Sequence, residues 1–151
     1  MKILFICTGN TCRSSMAEAI FNQTCNIDGF TSFSAGVCAI PGSYTSINTA
    51  KLVKEHLSCD LSSRKAVQLN DSIFQEADLV LAMSQSAKQW ALRSFNASEN
   101  KVFTLNEYVG VKGEVSDPYG GDLTVYEKVY EQLLFLIDLL FSKLKEDKGV
   151  L

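Results

Sequence analysis

The sequence predicts an α/β fold: a three-layer sandwich with a four-stranded parallel sheet and helices on both faces. Three observations carry that expectation. Lys2–Cys7 (KILFIC) is a short apolar run with no polar alternation, as in a strand covered on both sides. Strand-like and helix-like segments then alternate, which implies right-handed crossovers between parallel strands. The chain has 151 residues, 46% hydrophobic and 21% charged. That suits one globular core of ~100–200 residues, so 1–151 is expected to be a single domain.

After the first strand, Thr8-Gly9-Asn10-Thr11-Cys12-Arg13 is polar and Ser14–Phe21 opens a helix. Ser14 or Ser15 is expected to cap it. Glu18 sits near the first turn, where a carboxylate suits a capping box or the helix dipole. Thr31–Ser34 reads as the second strand, followed by Ala35-Gly36. Pro41-Gly42-Ser43 is a loop, and Ser46–Leu57 a helix with Ile47, Ala50, Val53, Lys54 and Leu57 on one side. Ser72–Glu76 is a short helical stretch, Ala77–Met83 the third strand, Gln85–Phe95 a helix and Lys101–Leu105 the fourth strand. Leu123–Leu144 is a long amphipathic helix, with Tyr126, Tyr130, Leu133, Ile137, Leu140 and Leu144 at helical spacing. Asn106–Asp122 is expected to be irregular. It follows the last strand, at the sheet end where open α/β folds bind ligands. A loop of that length is more often functional than idle.

Composition narrows the function. The net charge is −3, from 14 basic and 17 acidic residues, which argues against a general nucleic-acid binder. Five cysteines, an odd number without regular spacing, do not make a secreted disulfide framework. The apolar N-terminal run is too short for a signal peptide. No run reaches the ~18 apolar residues of a membrane span. A cytoplasmic protein that engages neither membrane nor nucleic acid is expected.

The segment Cys7-Thr8-Gly9-Asn10-Thr11-Cys12-Arg13-Ser14 carries the chemistry. A cysteine closes a strand, five residues intervene, an arginine follows, and a helix begins. A loop wrapped onto a helix N-terminus points several backbone N–H groups at one spot, which suits a dianion. The same field stabilises a thiolate. Arg13 adds a planar fork able to hold two phosphate oxygens. A buried cysteine ending a strand is usually a small hydrophobe, but this spacing and context favour a nucleophile beneath a phosphate. No Gly-Lys-Ser/Thr follows Gly9, which excludes a nucleotide-binding Walker loop. No Cys-x-x-Cys pair is present and His56 is the only histidine, so no metal site is expected. His56 is expected to be simply exposed or packed near its helix end.

With these residues in view, the chain resembles the low-molecular-weight protein tyrosine phosphatases over nearly its whole length. The resemblance runs through Cys7–Ser14, Met16-Ala17-Glu18-Ala19, Ser34-Ala35-Gly36, Ala77–Met83 and Asp117-Pro118-Tyr119-Gly120. It implies the phosphotyrosine phosphatase I-like sandwich already expected. It also implies Cys7 as nucleophile, Arg13 as phosphate clamp and Asp117 as general acid. Thr8, Gly9, Asn10, Thr11, Cys12, Arg13 and Ser14 would cradle the phosphate without any cofactor. Ser14 would donate a hydrogen bond to the Cys7 sulfur. Asn10 would shape the loop in a left-handed conformation, and Gly9 would permit close backbone approach. By the same resemblance Cys12 could form a reversible disulfide with Cys7. Phosphorylated proteins are the implied partners, and the enzyme is expected to act as a monomer.

Two departures from the tyrosine-specific pattern concern the substrate. Thr11 stands where that pattern has a branched aliphatic residue, and Gly120 where it often has a second aromatic. Both resemble the bacterial protein-arginine phosphatase branch, as do Lys101–Leu105 with Glu107-Tyr108-Val109, and Asp117–Gly121. The Thr11 hydroxyl offers a partner to guanidinium N–H groups that an aliphatic wall would leave unpaired. Asp117 can pair with a guanidinium and Tyr119 can stack on it. Phosphoarginine is therefore favoured over phosphotyrosine. A third departure is Ser15, where the family commonly has proline. Arsenate reduction is disfavoured because no cysteine follows Cys59. A phosphocysteine carrier is disfavoured because it gains nothing from Asp117, and a dead binding module because nucleophile, clamp and acid are all present. Cys25, Cys38 and Cys59 read as passive thiols. Trp90, Tyr126 and Tyr130 read as core or helix-face residues.

Overall fold

The computed structural model describes residues 1–95 and 100–149. Of the expected single domain 1–151, residues 96–99 and 150–151 lie outside the described residues. The elements run β1 (Lys2–Cys7), α1 (Arg13–Thr24), β2 (Thr31–Gly36), α2 (Ile47–Leu57), α3 (Asp71–Glu76), β3 (Leu79–Ala82), α4 (Gln85–Ser94), β4 (Val102–Thr104), α5 (Leu105–Val109) and α6 (Leu123–Lys148). All strand pairs are parallel, in the order β2-β1-β3-β4. The expected sandwich is the one found.

Side-chain alternation along β1 and β3 divides the core. Ile3, Phe5, Leu79 and Leu81 face one layer with α1, α2 and α6. Leu4, Ile6, Val80 and Ala82 face the other, with Phe74 of α3 and Ala87 and Ala91 of α4. Every β1 residue after Lys2 is buried, as its unbroken apolar run requires. Cys7 pairs with Gly36 at the carboxyl ends of β1 and β2, so the loop that follows rises from the middle of the sheet. No helix among the described residues is long and apolar enough to cross a membrane.

Several local expectations are corrected. Neither Ser14 nor Ser15 caps α1: Cys12 is the N-cap residue and its side chain makes no capping bond. The Ser15 hydroxyl instead donates to the Cys12 carbonyl at 3.2 Å. Glu18 accepts from Ser34 Oγ at 2.9 Å and pairs with Arg64 at 3.6 Å rather than serving the helix start. In α2 the buried residues are Thr49, Leu52 and Val53, while Ile47 is 86% exposed and Lys54 is exposed. Ser46 is the N-cap, and its hydroxyl accepts from Thr49 N and donates to Thr49 Oγ1, so Thr49 turns inward. β3 and β4 are shorter than expected. At the start of β3, Ala77 N closes α3 and Asp78 N already donates to Lys2 O.

The stretch 106–122 is not wholly irregular, because α5 begins it. Thr104 and Glu107 form a reciprocal capping box: Thr104 Oγ1 accepts from Glu107 N at 3.0 Å and a Glu107 carboxylate oxygen accepts from Thr104 N at 3.1 Å. Burial opposes charge on Glu107, but hydrogen bonds from Gln85, Lys88 and Thr104 N outweigh it and hold the carboxyl down at about 2. A depressed folded-state value stabilises the fold above the ordinary value of 4.5, and that stabilisation is lost as pH falls toward 2. A Glu107→Gln variant is expected to lower Tm at pH 7 by the equivalent of about 0.5–1 kcal/mol, a figure discounted for solvent screening. The Tm difference from wild type should close as pH falls through that window. A difference that stays constant to pH 2 would assign the effect to packing instead.

Candidate functional site

The loop between β1 and α1 is held by its own side chains and by distant ones. Asn10 is fully buried and left-handed, with φ 59°. Its amide nitrogen donates to Ser14 Oγ at 2.8 Å and Ser34 Oγ at 3.0 Å. Its carbonyl oxygen accepts from Val67 N at 2.9 Å and from an Arg64 guanidinium nitrogen at 3.1 Å. Both amide hydrogens and both oxygen lone pairs are thus used, which offsets the cost of burying the group and of its positive φ. Ser34 is saturated in turn, accepting from Asn10 and from Arg64 at 2.8 Å and donating to Glu18.

Cys7 lies under this loop and is buried. Its sulfur is 2.9 Å from Ser14 Oγ and 3.3 Å from Asn10 N, whose N–H points at it. Asn10 already donates to Ser14 Oγ, which leaves the Ser14 hydrogen free for the sulfur. An O–H and an N–H donor thus converge on one sulfur. The loop is pressed against β2. A Cβ on Gly36 would lie 2.7 Å from Thr8 O and 3.0 Å from Asn10 N, whereas one on Gly9 would meet only Thr11 Oγ1 at 3.8 Å. The chain's own packing therefore demands glycine at position 36 rather than at position 9.

Arg13, the first residue of α1, is buried, and its guanidinium lies 3.6 Å from the half-exposed Asp117 carboxylate. The Asp117 segment is pinned from both sides. Val115 N donates to Met83 O at 3.0 Å, and Gln132 of α6 bonds Ser116 N and Glu114 O. Asp117 Oδ1 accepts from Tyr119 N at 3.1 Å, which fixes its own turn. Tyr119 is 85% exposed beside it.

These groups surround one cleft of about 740 Å³, lined by Cys7–Arg13, Asp117, Tyr119 and Gly120, and also by Ile40, Tyr44 and Ser46. The structure brings every sequence-predicted site residue except Ser14 to that cleft, and Ser14 stands directly behind Cys7. Two residues read as incidental are also there. Cys38 is exposed on the cleft wall. Tyr126, expected as a core or helix-face residue, puts its hydroxyl 3.5 Å from Cys12 Sγ. Tyr126 ionisation is pushed up to about 12 by burial and by its hydrogen bond with Cys12, so it stays a neutral phenol at pH 7. Tyr130 is core, with His56 stacked on it at 4.9 Å between ring centroids. Trp90 is half-buried against Phe95 in the second layer. No group of three or more metal-binding side chains occurs among the described residues. Arg64 and Tyr44 escaped sequence reasoning, as did the role of Ser34 beyond its place in the Ser34-Ala35-Gly36 motif. They lie tens of residues from the loop they support or face.

The description "low molecular weight phosphotyrosine protein phosphatase" matches residues 2–150. A protein-arginine-phosphatase of Bacillus subtilis is 40% identical over 152 residues, covering 98% of this chain and 99% of that one. The low molecular weight protein-tyrosine-phosphatase PtpB of Staphylococcus aureus is 42% identical over 137 residues, covering 91% and 94%. Among solved structures, a mutant of the YwlE arginine phosphatase with a phosphorylated active-site serine superposes with a TM-score of 0.89. It is 37% identical to this chain over the whole of both.

Proposed function

Since the chain belongs to the low molecular weight phosphotyrosine protein phosphatase family and is a protein phosphatase, we propose that it hydrolyses phosphoarginine side chains through a cysteinyl-phosphate. The observation that carries this reading is one cleft holding the Cys7 sulfur under two hydrogen-bond donors with Arg13, Asp117 and Thr11 around it. The Cys7 thiolate attacks phosphorus in line. The S–P bond forms as the bond from phosphorus to the guanidino nitrogen breaks. Arg13 and the loop N–H groups hold the equatorial oxygens through the transition state. The Asp117 carboxyl gives its proton to the leaving nitrogen. As a carboxylate it then takes a proton from the water whose oxygen displaces sulfur. The Ser14 hydroxyl stabilises the departing thiolate. Cys12, in the same loop, is the proposed redox partner of Cys7.

Thr11, Asp117 and Tyr119 would select the substrate. A phosphorylated guanidinium brings N–H donors that the Thr11 hydroxyl and the carbonyl oxygen of the Asp117 carboxyl accept, and a plane on which Tyr119 stacks. The exposed Ile40 and Tyr44, which line the same cleft, favour the second reading, an aryl phosphate on tyrosine. Turnover of matched phosphoarginine and phosphotyrosine peptides separates the two. The phosphoarginine peptide is expected to have the higher kcat/KM. Thr11→Ile is expected to move the ratio toward phosphotyrosine by about 5–150-fold, the worth of one pocket hydroxyl at ~1–3 kcal/mol. A wild-type preference for phosphotyrosine would hand the site to the second reading. An unchanged ratio in Thr11→Ile would remove Thr11 from selection.

A further inference from the structure

Cys12 and Tyr126 are buried, polar at their tips, and unused by the mechanism above. Their contacts are specific. Cys12 Sγ lies 3.5 Å from the Tyr126 hydroxyl and 3.7 Å from Thr11 Oγ1, inside the range of hydrogen bonds to sulfur. Thr11, Cys12 and Tyr126 all line the cleft. A thiol is a weak donor and a weak acceptor, so it can pass a hydrogen-bond chain in either direction.

The two directions present different faces to a ligand. If the Tyr126 hydroxyl donates to Cys12 and Cys12 to Thr11, the Thr11 hydrogen is left for the cleft. That suits an ester oxygen such as that of an aryl phosphate. If Thr11 and the Tyr126 hydroxyl both donate to the Cys12 sulfur, Thr11 turns both lone pairs to the cleft. That suits the N–H donors of a phosphorylated guanidinium. We propose that Cys12 is a positioning residue for substrate selection: it accepts the Thr11 hydrogen, backed by Tyr126, and so holds Thr11 as an acceptor. The inference rests on the phosphoarginine reading. It gives Cys12 a task in the reduced enzyme, separate from any disulfide with Cys7.

The test is the ratio of kcat/KM for matched phosphoarginine and phosphotyrosine peptides. That ratio is independent of how much of a variant folds. Cys12→Ala is expected to lower it about 3–10-fold, and Tyr126→Phe to lower it less. Cys12→Ser, which still accepts a hydrogen bond, should stay within about twofold of wild type. In a Thr11→Val background, where nothing remains to orient, Cys12→Ala should leave the ratio unchanged within about twofold. Equal loss on both substrates in Cys12→Ala, or an effect that persists without the Thr11 hydroxyl, would overturn the proposal and leave Cys12 a packing residue. A wild-type enzyme inactive on phosphoarginine would instead overturn the reading beneath it, and this proposal with it.

Discussion

Cys7→Ser is expected to lower kcat by at least ~10⁴-fold while inorganic phosphate still binds. A hydroxyl is far less ionised than a thiol at neutral pH, and a serine phosphate is a poorer leaving group than a cysteinyl one. The cradle depends little on sulfur. Asn10 draws its hold from Ser14, Ser34, Arg64 and Val67, and its bond to sulfur comes from the backbone N–H. Serine is smaller, so the fold should survive and Tm should change little. The checks are single-turnover kinetics, phosphate binding by calorimetry and mass spectrometry of the variant. A mass increase of one phosphate on the serine would mark the first half of the reaction surviving and the second failing. Turnover within tenfold of wild type would reject the covalent route.

Arg13→Lys should have the next largest effect, a loss of about 10²–10³ in kcat. The Arg13 guanidinium is buried at the start of α1 and faces Asp117 at 3.6 Å. A planar fork placed there reaches two equatorial oxygens at once and keeps its orientation as phosphorus flattens in the transition state. Lysine keeps the charge but holds one point. Binding of inorganic phosphate should weaken far less than kcat falls, because the loop N–H groups remain. Equal losses in both would make Arg13 a ground-state anchor only. Loss of neither would remove it from the site.

The sheet and the cradle were legible because each is written in one stretch of chain. Six consecutive residues spell β1, and Cys7–Ser14 spells the phosphate loop. What supports the loop was not, because support comes from afar. Arg64 reaches Asn10 across 54 positions and Ser34 across 30, and no local pattern joins them. The α5 helix carried its signal in Thr104-Leu105-Asn106-Glu107, a capping box. Five residues are too few to show a helical period, so that signal passed as loop. In α2, spacing alone placed Ile47 on the buried face. The helix starts beside the cleft, and its first residue overhangs open space while Thr49 turns in to its cap. Tyr126 fitted the buried stripe of α6 and is buried. That α6 passes the cleft depends on how it crosses α1, which no linear pattern contains.

The order β2-β1-β3-β4 places the earliest-made strand in the middle of the sheet. As the chain leaves the ribosome, β1 has no partner until β2 follows, and it is flanked on both edges only after β3 has emerged. The anchors of Asn10, at Arg64 and Val67, arrive between those two events. A nascent chain therefore carries its reactive sulfur first and the machinery that arms it later. A product ending before residue 64 lacks both of those anchors and the Asp117 carboxyl, and is expected to show no turnover of phosphorylated proteins.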